Sequence, residues 1–226
     1  MKGSYAPIGN FFSRVRDFDG VRHRHGHIAV PDFLEYVANN SPNLANLLTF
    51  NFYNTLQCSK CKWISMIPCN DVQLKLYVPL DAKRQTLLDL LNSNSNTIHS
   101  SQNSVFCGQC NKKTPHKSSR DYNPDIFFVE IIRVIEKDGR WVKNPVKVSF
   151  PRSNLQLPGF SGSYKVIGSC HHRGTVSSGH CFTKVLTSGN LWYNLDDLKL
   201  KVFSTCPPGY DDDSVAVLLL GVEDKF

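Results

Sequence analysis

Four cysteines arranged as two Cys-x-x-Cys pairs constrain this chain more than any other feature of its sequence. The first pair is Cys58 and Cys61, and the second is Cys107 and Cys110. Each such turn places two thiolates on one side of a tight loop, and two turns complete a tetrahedron around zinc, with sulfur ligands at about 2.3 Å. The N-terminus lacks the apolar segment of a secretory signal, so paired knuckles indicate structural zinc before disulfides. We therefore predict a zinc site built from these four cysteines.

The segment between the two pairs predicts an inserted arm. Its 45 residues exceed the spacing of a usual zinc ribbon. Apolar residues alternate with polar ones over 72–78, which predicts a half-buried strand, and residues 86–91 predict a short helix. The polar, low-complexity stretches 92–96 and 100–104 predict a flexible tip. Strand, helix and tip together account for the long separation of the knuckles.

The chain after the second knuckle is predicted to be rich in β-structure. Residues 126–135 are mainly β-branched and aromatic, which predicts a buried strand within a sheet, and 137–140 predict a hairpin turn. Shorter runs with turn signals between them predict strands at 146–151, 164–168, 181–186 and 191–197. The segment 171–180 is rich in Gly and Ser, and we predict a turn there with His180 at its exit.

His180 and Asp196 stand where pairing of neighbouring strands would bring them together. If the strands on either side of 187–191 pair in antiparallel fashion, the imidazole and the carboxylate meet at one end of the pair. A histidine oriented by a carboxylate is the base half of a nucleophilic triad. A His and an Asp sixteen residues apart are also common as surface or capping residues, so this pair alone leaves both interpretations open.

Charge and hydropathy limit the classes of function. The 226 residues include 26 basic and 19 acidic side chains, a net charge of +7, and the pI is near 9.0. The basic residues are thinly spread, which is typical of solvated surface, although the surplus admits an anionic partner. No apolar run approaches the roughly 20 residues needed to cross a bilayer. We expect a folded chain without a membrane partner, located in the cytoplasm, the nucleus or both.

An ordered set of residues in the last third carries a family resemblance. Its members are Tyr164, Val166, His172, Gly174, Gly179 and His180, followed by Trp192, Asp196 and Asp197. Their order and spacing resemble the histidine box of the ubiquitin-specific proteases, a family of cysteine deubiquitinases. The split zinc knuckle, Pro124, Arg133 and the Val-Ser-Phe-Pro at 148–151 agree with the segments that precede this box in the family. The resemblance covers residues 58–220.

The resemblance implies a fold and a division of the chain. It implies an α+β fold of the papain-like cysteine protease superfamily, with a mixed, mostly antiparallel palm and zinc-bearing fingers. Residues 1–50 are expected to be a thumb or helical remnant with a helix starting near Pro31, so the thumb is largely absent. Residues 51–125 are expected to form the zinc-knuckle fingers, and 126–226 the palm with the histidine box.

The resemblance also implies roles for individual residues. His180 would be the general base, Asp196 the residue that orients it, and Asp197 a neighbouring polar helper. Cys181 adjoins His180 where the family usually has tyrosine. We interpret it as a packed thiol, because adjacent side chains on a strand point to opposite faces. The same interpretation applies to the other cysteines outside the knuckles, Cys69, Cys170 and Cys206.

The family's nucleophilic cysteine has no counterpart, because the first cysteine of the sequence is Cys58, which is assigned to zinc. We therefore expect a deubiquitinase domain that hydrolyses the bond at the ubiquitin C-terminus only if another segment supplies the thiol, as in a truncated chain, and that is otherwise inactive. One alternative is a ubiquitin-binding pseudo-protease. The other, a zinc-ribbon binder of nucleic acid, has only the basic pI as independent support. The expected partner is ubiquitin or a ubiquitinated protein.

Overall fold

Short β-strands make up most of the structure. The computed structural model describes residues 30–80, 84–95, 104–205 and 213–226. In these ranges the α-helices are α1 (Val30–Asn40), α2 (Pro42–Leu48) and α3 (Leu87–Ser95), and a 3-10 helix spans Glu223–Lys225. The strands are β1 (Phe50–Cys58), β2 (Ile64–Asp71), β3 (Gln73–Tyr77), β4 (Arg84–Thr86), β5 (Val105–Cys107), β6 (Lys112–Thr114), β7 (His116–Tyr122), β8 (Ile126–Ile132), β9 (Val134–Lys137), β10 (Arg140–Lys143), β11 (Lys147–Ser149), β12 (Leu155–Gln156), β13 (Ser163–Gly174), β14 (Gly179–Leu186), β15 (Trp192–Asp196), β16 (Lys199–Phe203) and β17 (Val215–Val222). None of the described helices is long and apolar enough to span a membrane.

One eight-stranded sheet forms the larger part of the fold. Its strands lie in the order β16-β15-β14-β13-β17-β8-β3, and β12 pairs with β13 beside that path. Neighbours are antiparallel except for β3 and β8, which run parallel. The predicted α+β class, with a mixed and mostly antiparallel palm, is confirmed.

The core of the large sheet follows the side-chain alternation of its strands. On β8, Phe127, Val129 and Ile131 are buried while the residues between them are half-buried. On β17, the consecutive residues Val217 and Leu218 are both buried, so both faces of the sheet are covered at this strand. The helix α3 contributes its apolar face, Leu87, Leu90 and Leu91, to the same core.

A smaller three-stranded sheet carries the first cysteine pair. It has the order β2-β1-β7, is antiparallel throughout, and is accompanied by the β5–β6 hairpin that carries the second pair. An aromatic cluster anchors its base to the large sheet. The rings of Phe50 and Phe127 have centroids 5.8 Å apart, and those of Tyr122 and Phe160 are stacked at 4.4 Å. The cluster fixes the cysteine-bearing strands relative to the palm.

Several sequence predictions agree with these elements. The strand at 72–78 is β3, the helix near Pro31 is α1, and the hairpin turn at 137–140 is formed by Asp138 and Gly139, with φ of 52° and 73°. The helix predicted at 86–91 is α3, but it continues to Ser95, so this part of the predicted flexible tip is helical. Residues 96–103, and the segment 1–29 of the predicted thumb remnant, lie outside the described residues.

The turn predicted over 171–180 is wrong in extent. Strand β13 continues to Gly174 and β14 begins at Gly179, so the turn itself is only residues 175–178. His171 pairs with Phe182 on β14 and with Val215 on β17. Pairing on both sides holds this segment in the sheet despite its turn-like composition, because long-range hydrogen bonding outweighs local propensity.

Candidate active site and metal centre

The four knuckle cysteines converge at the tip of the smaller sheet. Cys58 and Cys61 flank the turn after β1, and Cys107 and Cys110 flank the turn after β5. The sulfur atoms of Cys58 and Cys110 are 3.9 Å apart, those of Cys61 and Cys107 are 3.6 Å apart, and all four lie within 4.8 Å of one another. A tetrahedral zinc site with bonds of about 2.3 Å has sulfur–sulfur edges of about 3.8 Å. The thiols therefore fit a four-cysteine metal site.

The local backbone and the neighbouring side chains determine the positions and the acidity of these thiols. Left-handed backbone at Lys62 (φ 63°) and Asn111 (φ 52°) closes the two knuckles. The Thr114 hydroxyl lies 3.2 Å from the Cys58 sulfur, and this hydrogen bond lowers the pKa of Cys58 to about 5. Crowding by the neighbouring thiols, first of all Cys61, raises the pKa of Cys110 to about 12. A bound metal cation would relieve that crowding, because it favours the thiolate form of every ligand.

His180 and Asp196 meet at the open end of β14 and β15. These strands pair from Thr183 opposite Leu195 to Leu186 opposite Trp192, which carries His180 and Asp196 just past the last paired residues. The Nε2 atom of His180 lies 2.5 Å from Oδ1 of Asp196. An Nε2–H that donates to this carboxylate leaves Nδ1 free to accept a proton, which is the arrangement a general base requires.

The electrostatics of the pair favour a charged imidazole. The hydrogen bond to Asp196 raises the pKa of His180, and the same bond lowers the pKa of the Asp196 carboxyl group. Asp197, which adopts a left-handed conformation in the β15–β16 turn, has Oδ2 4.0 Å from Nδ1 of His180 and is largely exposed. Asp197 therefore lies near enough to add negative charge, but too far for a hydrogen bond.

Two glycines shape the turn that leads into His180. Gly174 has a φ of +121°, and a Cβ on it would lie 2.4 Å from the Ser178 carbonyl oxygen. A Cβ on Gly179 would lie 2.0 Å from Nε2 of His172 and 2.5 Å from the Arg173 carbonyl oxygen. Both glycines belong to the predicted histidine box, and their close contacts explain why side chains do not fit there.

A cleft of about 900 Å³ opens beside this turn. The β10 side contributes Trp141, Val142 and Lys143, and the turn contributes residues 173–177. Arg173 on its wall is the cross-strand partner of His180. The cleft therefore reaches the strand position opposite the histidine, although His180 itself does not line it.

The interpretation of Cys181 as a packed thiol is wrong. Cys181 is exposed, whereas Cys170 is buried and Cys69 is half-buried; Cys206 lies outside the described residues. Alternation does turn Cys181 away from His180, as expected. Cys181 lies near the start of β14, before the residues that pair with β15, and no described element buries its side chain.

The structure brings together His180, Asp196 and Asp197, and separately the four knuckle cysteines, as the sequence analysis expected them to group. Among the described residues, no cysteine sulfur is hydrogen-bonded to His180. Nδ1 of His180 therefore has no thiol partner within that part of the chain. The roles of these residues in catalysis and in zinc binding stay predictions.

Sequence reasoning missed the polar contacts that hold the site in place. His171 is fully buried, with Nε2 2.9 Å from the Ser169 hydroxyl, Nδ1 3.0 Å from the Ser214 hydroxyl, and its ring stacked on Phe182. Lys143 donates from Nζ to the His172 carbonyl oxygen at 2.5 Å, which ties β10 to β13. Ser169 is only two residues from His171, but the other partners are distant in sequence, so no local motif signals the full set of contacts.

Comparison with known proteins identifies the family. A model of the ubiquitin carboxyl-terminal hydrolase family matches residues 28–218. The chain belongs to the ubiquitin carboxyl-terminal hydrolase family. The resemblance seen in the histidine box is thus confirmed. The α+β fold of the described residues agrees with this family. A search among curated proteins found no match.

Two solved structures are similar to this hydrolase domain in fold. One is the SAGA DUB module of Ubp8, Sgf11, Sus1 and Sgf73 bound to monoubiquitin, with 19% identity, a TM-score of 0.65, and coverage of 77% of this chain and 40% of that chain. The other is the Ubp8, Sgf11, Sus1 and Sgf73 module bound to ubiquitin aldehyde, with 15% identity, a TM-score of 0.75, and coverage of 95% and 54%. This chain therefore spans about half the length, or less, of the proteins it resembles.

Proposed function

We propose that this chain is a ubiquitin-specific-protease-type domain that binds ubiquitin and directs its C-terminus towards His180. The observation that carries the proposal is the His180–Asp196 hydrogen bond of 2.5 Å near the cleft, in a chain of the hydrolase family. The similar SAGA modules are bound to monoubiquitin and to ubiquitin aldehyde, which supports ubiquitin as the partner. We accordingly expect the protein to act where ubiquitin is conjugated, in the cytoplasm, the nucleus or both.

The cleft suits an extended C-terminal tail. Trp141, 65% exposed, offers an apolar surface on one wall, and Lys143 and Arg173 give the walls positive charge. The ubiquitin tail ends in glycine, which has no side chain, so its backbone can lie close to the residues that line the cleft. A tail laid along the turn at 173–177 would bring its terminal carbonyl group towards the imidazole of His180.

Hydrolysis at this site requires a thiolate in addition to the residues described. A cysteine thiolate attacks the carbonyl carbon of the isopeptide or peptide bond, His180 gives the leaving amine its proton, and water then releases ubiquitin from the thioester. Asp196 holds the imidazole in the tautomer that this transfer needs, and Asp197 adds negative charge near Nδ1. Each of these roles is a proposal for this chain.

The 226-residue chain itself is proposed to bind without cleaving. Cys58, the first cysteine of the sequence, belongs to the four-cysteine cluster, and no thiol of the described residues is hydrogen-bonded to Nδ1 of His180. Hydrolysis would then depend on a cysteine supplied by another segment. The alternative is a pseudo-protease, in which no segment supplies the cysteine and the domain only binds ubiquitin. Binding of nucleic acid is the weakest candidate, because the basic pI alone supports it and a ribbon has no use for the His180–Asp196 pair.

Zinc and the subdomain division complete the proposal. Cys58, Cys61, Cys107 and Cys110 would hold a structural zinc ion that fixes the fingers, residues 51–125, against ubiquitin. Residues 126–226 would form the palm, joined by β3, which pairs with β8 although it comes from the earlier segment. Residues 1–50 would be the remnant of the thumb.

Calorimetry with monoubiquitin tests the proposal. We expect binding by the wild-type chain and at least about tenfold weaker binding by Trp141→Ala, because a large aromatic side chain at an interface centre carries more than its share of affinity. The matched control is Leu88→Ala, which removes an exposed apolar side chain on α3, outside the cleft. Equal weakening by both variants, or no binding by the wild type, would contradict the proposed tail path.

A further inference from the structure

Cys170 and Cys181 are neighbours on one face of the large sheet. Cys170 is opposite Thr183, and Cys181 is opposite His172, so the two cysteines are diagonal across β13 and β14. Residues two apart on a strand share a face, which places both thiols on the side away from His180. The two thiols lie close enough for each to shift the pKa of the other.

The two thiols differ in exposure and in acidity. Cys181 is exposed, and Cys170 is only 8% exposed. Interaction with the Cys170 thiol, together with the positive charges of His180 and Lys143, lowers the pKa of Cys181 to about 6, and the same interaction raises the pKa of Cys170 above its usual range. At neutral pH, Cys181 is therefore a solvent-accessible thiolate, and Cys170 is a protonated thiol beside it.

We infer that Cys181 and Cys170 are a peroxide-reactive thiol pair, with Cys181 as the attacking thiolate and Cys170 as the resolving thiol. The geometry of an exposed sulfur backed by a buried second sulfur carries this inference. It goes beyond the proposed ubiquitin binding and does not depend on it, since neither thiol is a partner of His180 through a hydrogen bond. The oxidant is hydrogen peroxide or an organic hydroperoxide.

The reaction balances in two steps. The Cys181 thiolate attacks one peroxide oxygen, the S–O bond forms, the O–O bond breaks, and the leaving hydroxide takes a proton to become water. The Cys170 thiol then attacks the sulfur of the Cys181 sulfenic acid, the S–S bond forms, and the hydroxyl group leaves with the thiol proton as a second water. Two thiols lose two electrons and two protons, and one hydrogen peroxide becomes two waters.

The end of β14 has the freedom that the S–S bond needs. Diagonal pairs are separated by roughly 7–8 Å between Cα atoms, and disulfides span less than about 7 Å, so the strands must approach slightly. Residues 179–182 pair with β13 on one side only, because pairing with β15 starts at Thr183. A small shift of this strand end therefore brings the sulfurs within bonding distance.

The resolving thiol protects the neighbourhood of His180. Without Cys170, continued oxidation of Cys181 would give an irreversible sulfinate, a fixed negative charge beside the imidazole. Disulfide formation instead leaves a neutral and reducible product. Reversible oxidation at Cys181 is thus a modification adjacent to the candidate base that leaves His180 and Asp196 intact.

Peptide mapping of the full chain tests the pair directly. After treatment with hydrogen peroxide at pH 7 and alkylation of the remaining thiols, trypsin places Cys170 in peptide 166–173 and Cys181 in peptide 174–184. We expect the two peptides to be linked before other cysteines form disulfides, and a reductant to separate them. A Cys181 sulfinate with Cys170 still reduced would overturn the pairing, as would oxidation elsewhere while both stay reduced.

Three variants assign the roles. Cys170→Ser, or Cys170→Ala if serine disturbs the buried site, should leave Cys181 as a sulfenic acid that dimedone traps. Cys181→Ser should leave Cys170 reduced under the same peroxide exposure. The matched control Cys69→Ser, on β2, should still give the linked peptides. Trapping of a sulfenic acid on Cys170 in Cys181→Ser would reverse the assigned roles and contradict the proposal.

The pH dependence of the Cys181 reaction gives a second readout. The titratable and charged groups around Cys181 are His172, directly opposite it on β13, Cys170 on the same strand, Lys143 on β10, and the adjacent His180, whose side chain lies on the other face of β14. With this thiol ionised at neutral pH, its rate with peroxide should change little between pH 7 and 9. An ordinary thiol would accelerate about 25-fold over that range, from its thiolate fraction alone. An acceleration of that size at Cys181 would contradict its role as the attacking thiolate.

Discussion

At the scale of single residues, the contact between His180 and Asp196 determines what the site can do. The carboxylate stabilises the imidazolium, so the pKa of His180 is raised and its proton is lost at higher pH than from a free histidine. We expect Asp196→Asn to lower the pKa of His180, because the amide carries no negative charge. An NMR titration of the His180 ring protons measures this change.

Asp197→Asn is the matched control for that titration. Its carboxylate lies 4.0 Å from Nδ1 and is 81% exposed, so water screens most of its charge. Asp197→Asn should also lower the pKa of His180, but clearly less than Asp196→Asn does. An equal or larger effect of Asp197→Asn would mean that the exposed turn, rather than the 2.5 Å hydrogen bond, sets the protonation of His180.

Gly179 is a second single residue on which the stability of the site depends, because the atoms around it leave no room for a side chain. Gly179→Ala would place a Cβ 2.0 Å from Nε2 of His172, which forces the ring or the turn to move. We expect a loss of about 1–3 kcal/mol in the free energy of unfolding, typical of overpacking. Denaturant unfolding measures it. Gly189→Ala, with no atom nearer than 3.9 Å to the added Cβ, should be nearly neutral, and equal losses would contradict this account.

The sequence was sufficient to predict which residues meet, and insufficient to predict their exposure. Antiparallel pairing alone brings His180 to Asp196, so the alternation of the two strands predicts that contact. The exposure of Cys181 depends instead on which elements pack against its face of β14. That packing is tertiary structure, and no residue next to Cys181 signals it.

At the scale of elements, the two knuckles are expected to depend on zinc. A small β arm is marginal in water, and metal binding contributes on the order of 10 kcal/mol to folding in zinc peptides. Cys58→Ser or Cys110→Ser should therefore reduce the zinc content and increase hydrogen exchange in β5 and β6, while the palm strands stay protected. Elemental analysis and exchange mass spectrometry measure the two effects.

Cys69→Ser is the control for the knuckle variants. Cys69 lies on β2 in the same small sheet but outside the cluster, and the Asn54 side chain donates to its sulfur at 3.1 Å. This variant should retain its zinc. Unchanged zinc content in Cys58→Ser and Cys110→Ser would contradict the assignment of zinc to the four cysteines, whatever the effect of these variants on stability.

Element boundaries show where local sequence loses its predictive value. The apolar run 126–135 predicts one strand, whereas β8 ends at Ile132 and β9 begins at Val134. Between them, the buried Arg133 donates to the carbonyl oxygens of Val215 at 2.7 Å and Val146 at 2.5 Å. Acceptors so far along the chain cannot be inferred from a local pattern. The Gly- and Ser-rich segment 171–180 is wrongly predicted to be a turn for the same reason: the strand pairing that holds most of it is long-range.

At the scale of the whole molecule, we propose that the sheet with the four cysteines, the large sheet and the cleft together bind one partner, ubiquitin. The order of the motifs along the chain was enough to predict the family and the α+β class. The parallel pairing of β3 with β8 was not predictable, because it depends on how the segment between the knuckles returns to the palm. The proposed ubiquitin site likewise needs both sheets in their places.

The proposed binding of ubiquitin without cleavage is tested by the reaction of the purified chain with ubiquitin that carries a C-terminal electrophile. Calorimetry with monoubiquitin on the same sample separates binding from chemistry. We expect ubiquitin to bind and mass spectrometry to find no covalent adduct, because His180 has no thiol partner among the described residues. An adduct on Cys69, Cys170, Cys181 or Cys206 would contradict the non-cleaving state, and the absence of both binding and labelling would contradict the proposed ubiquitin-binding function.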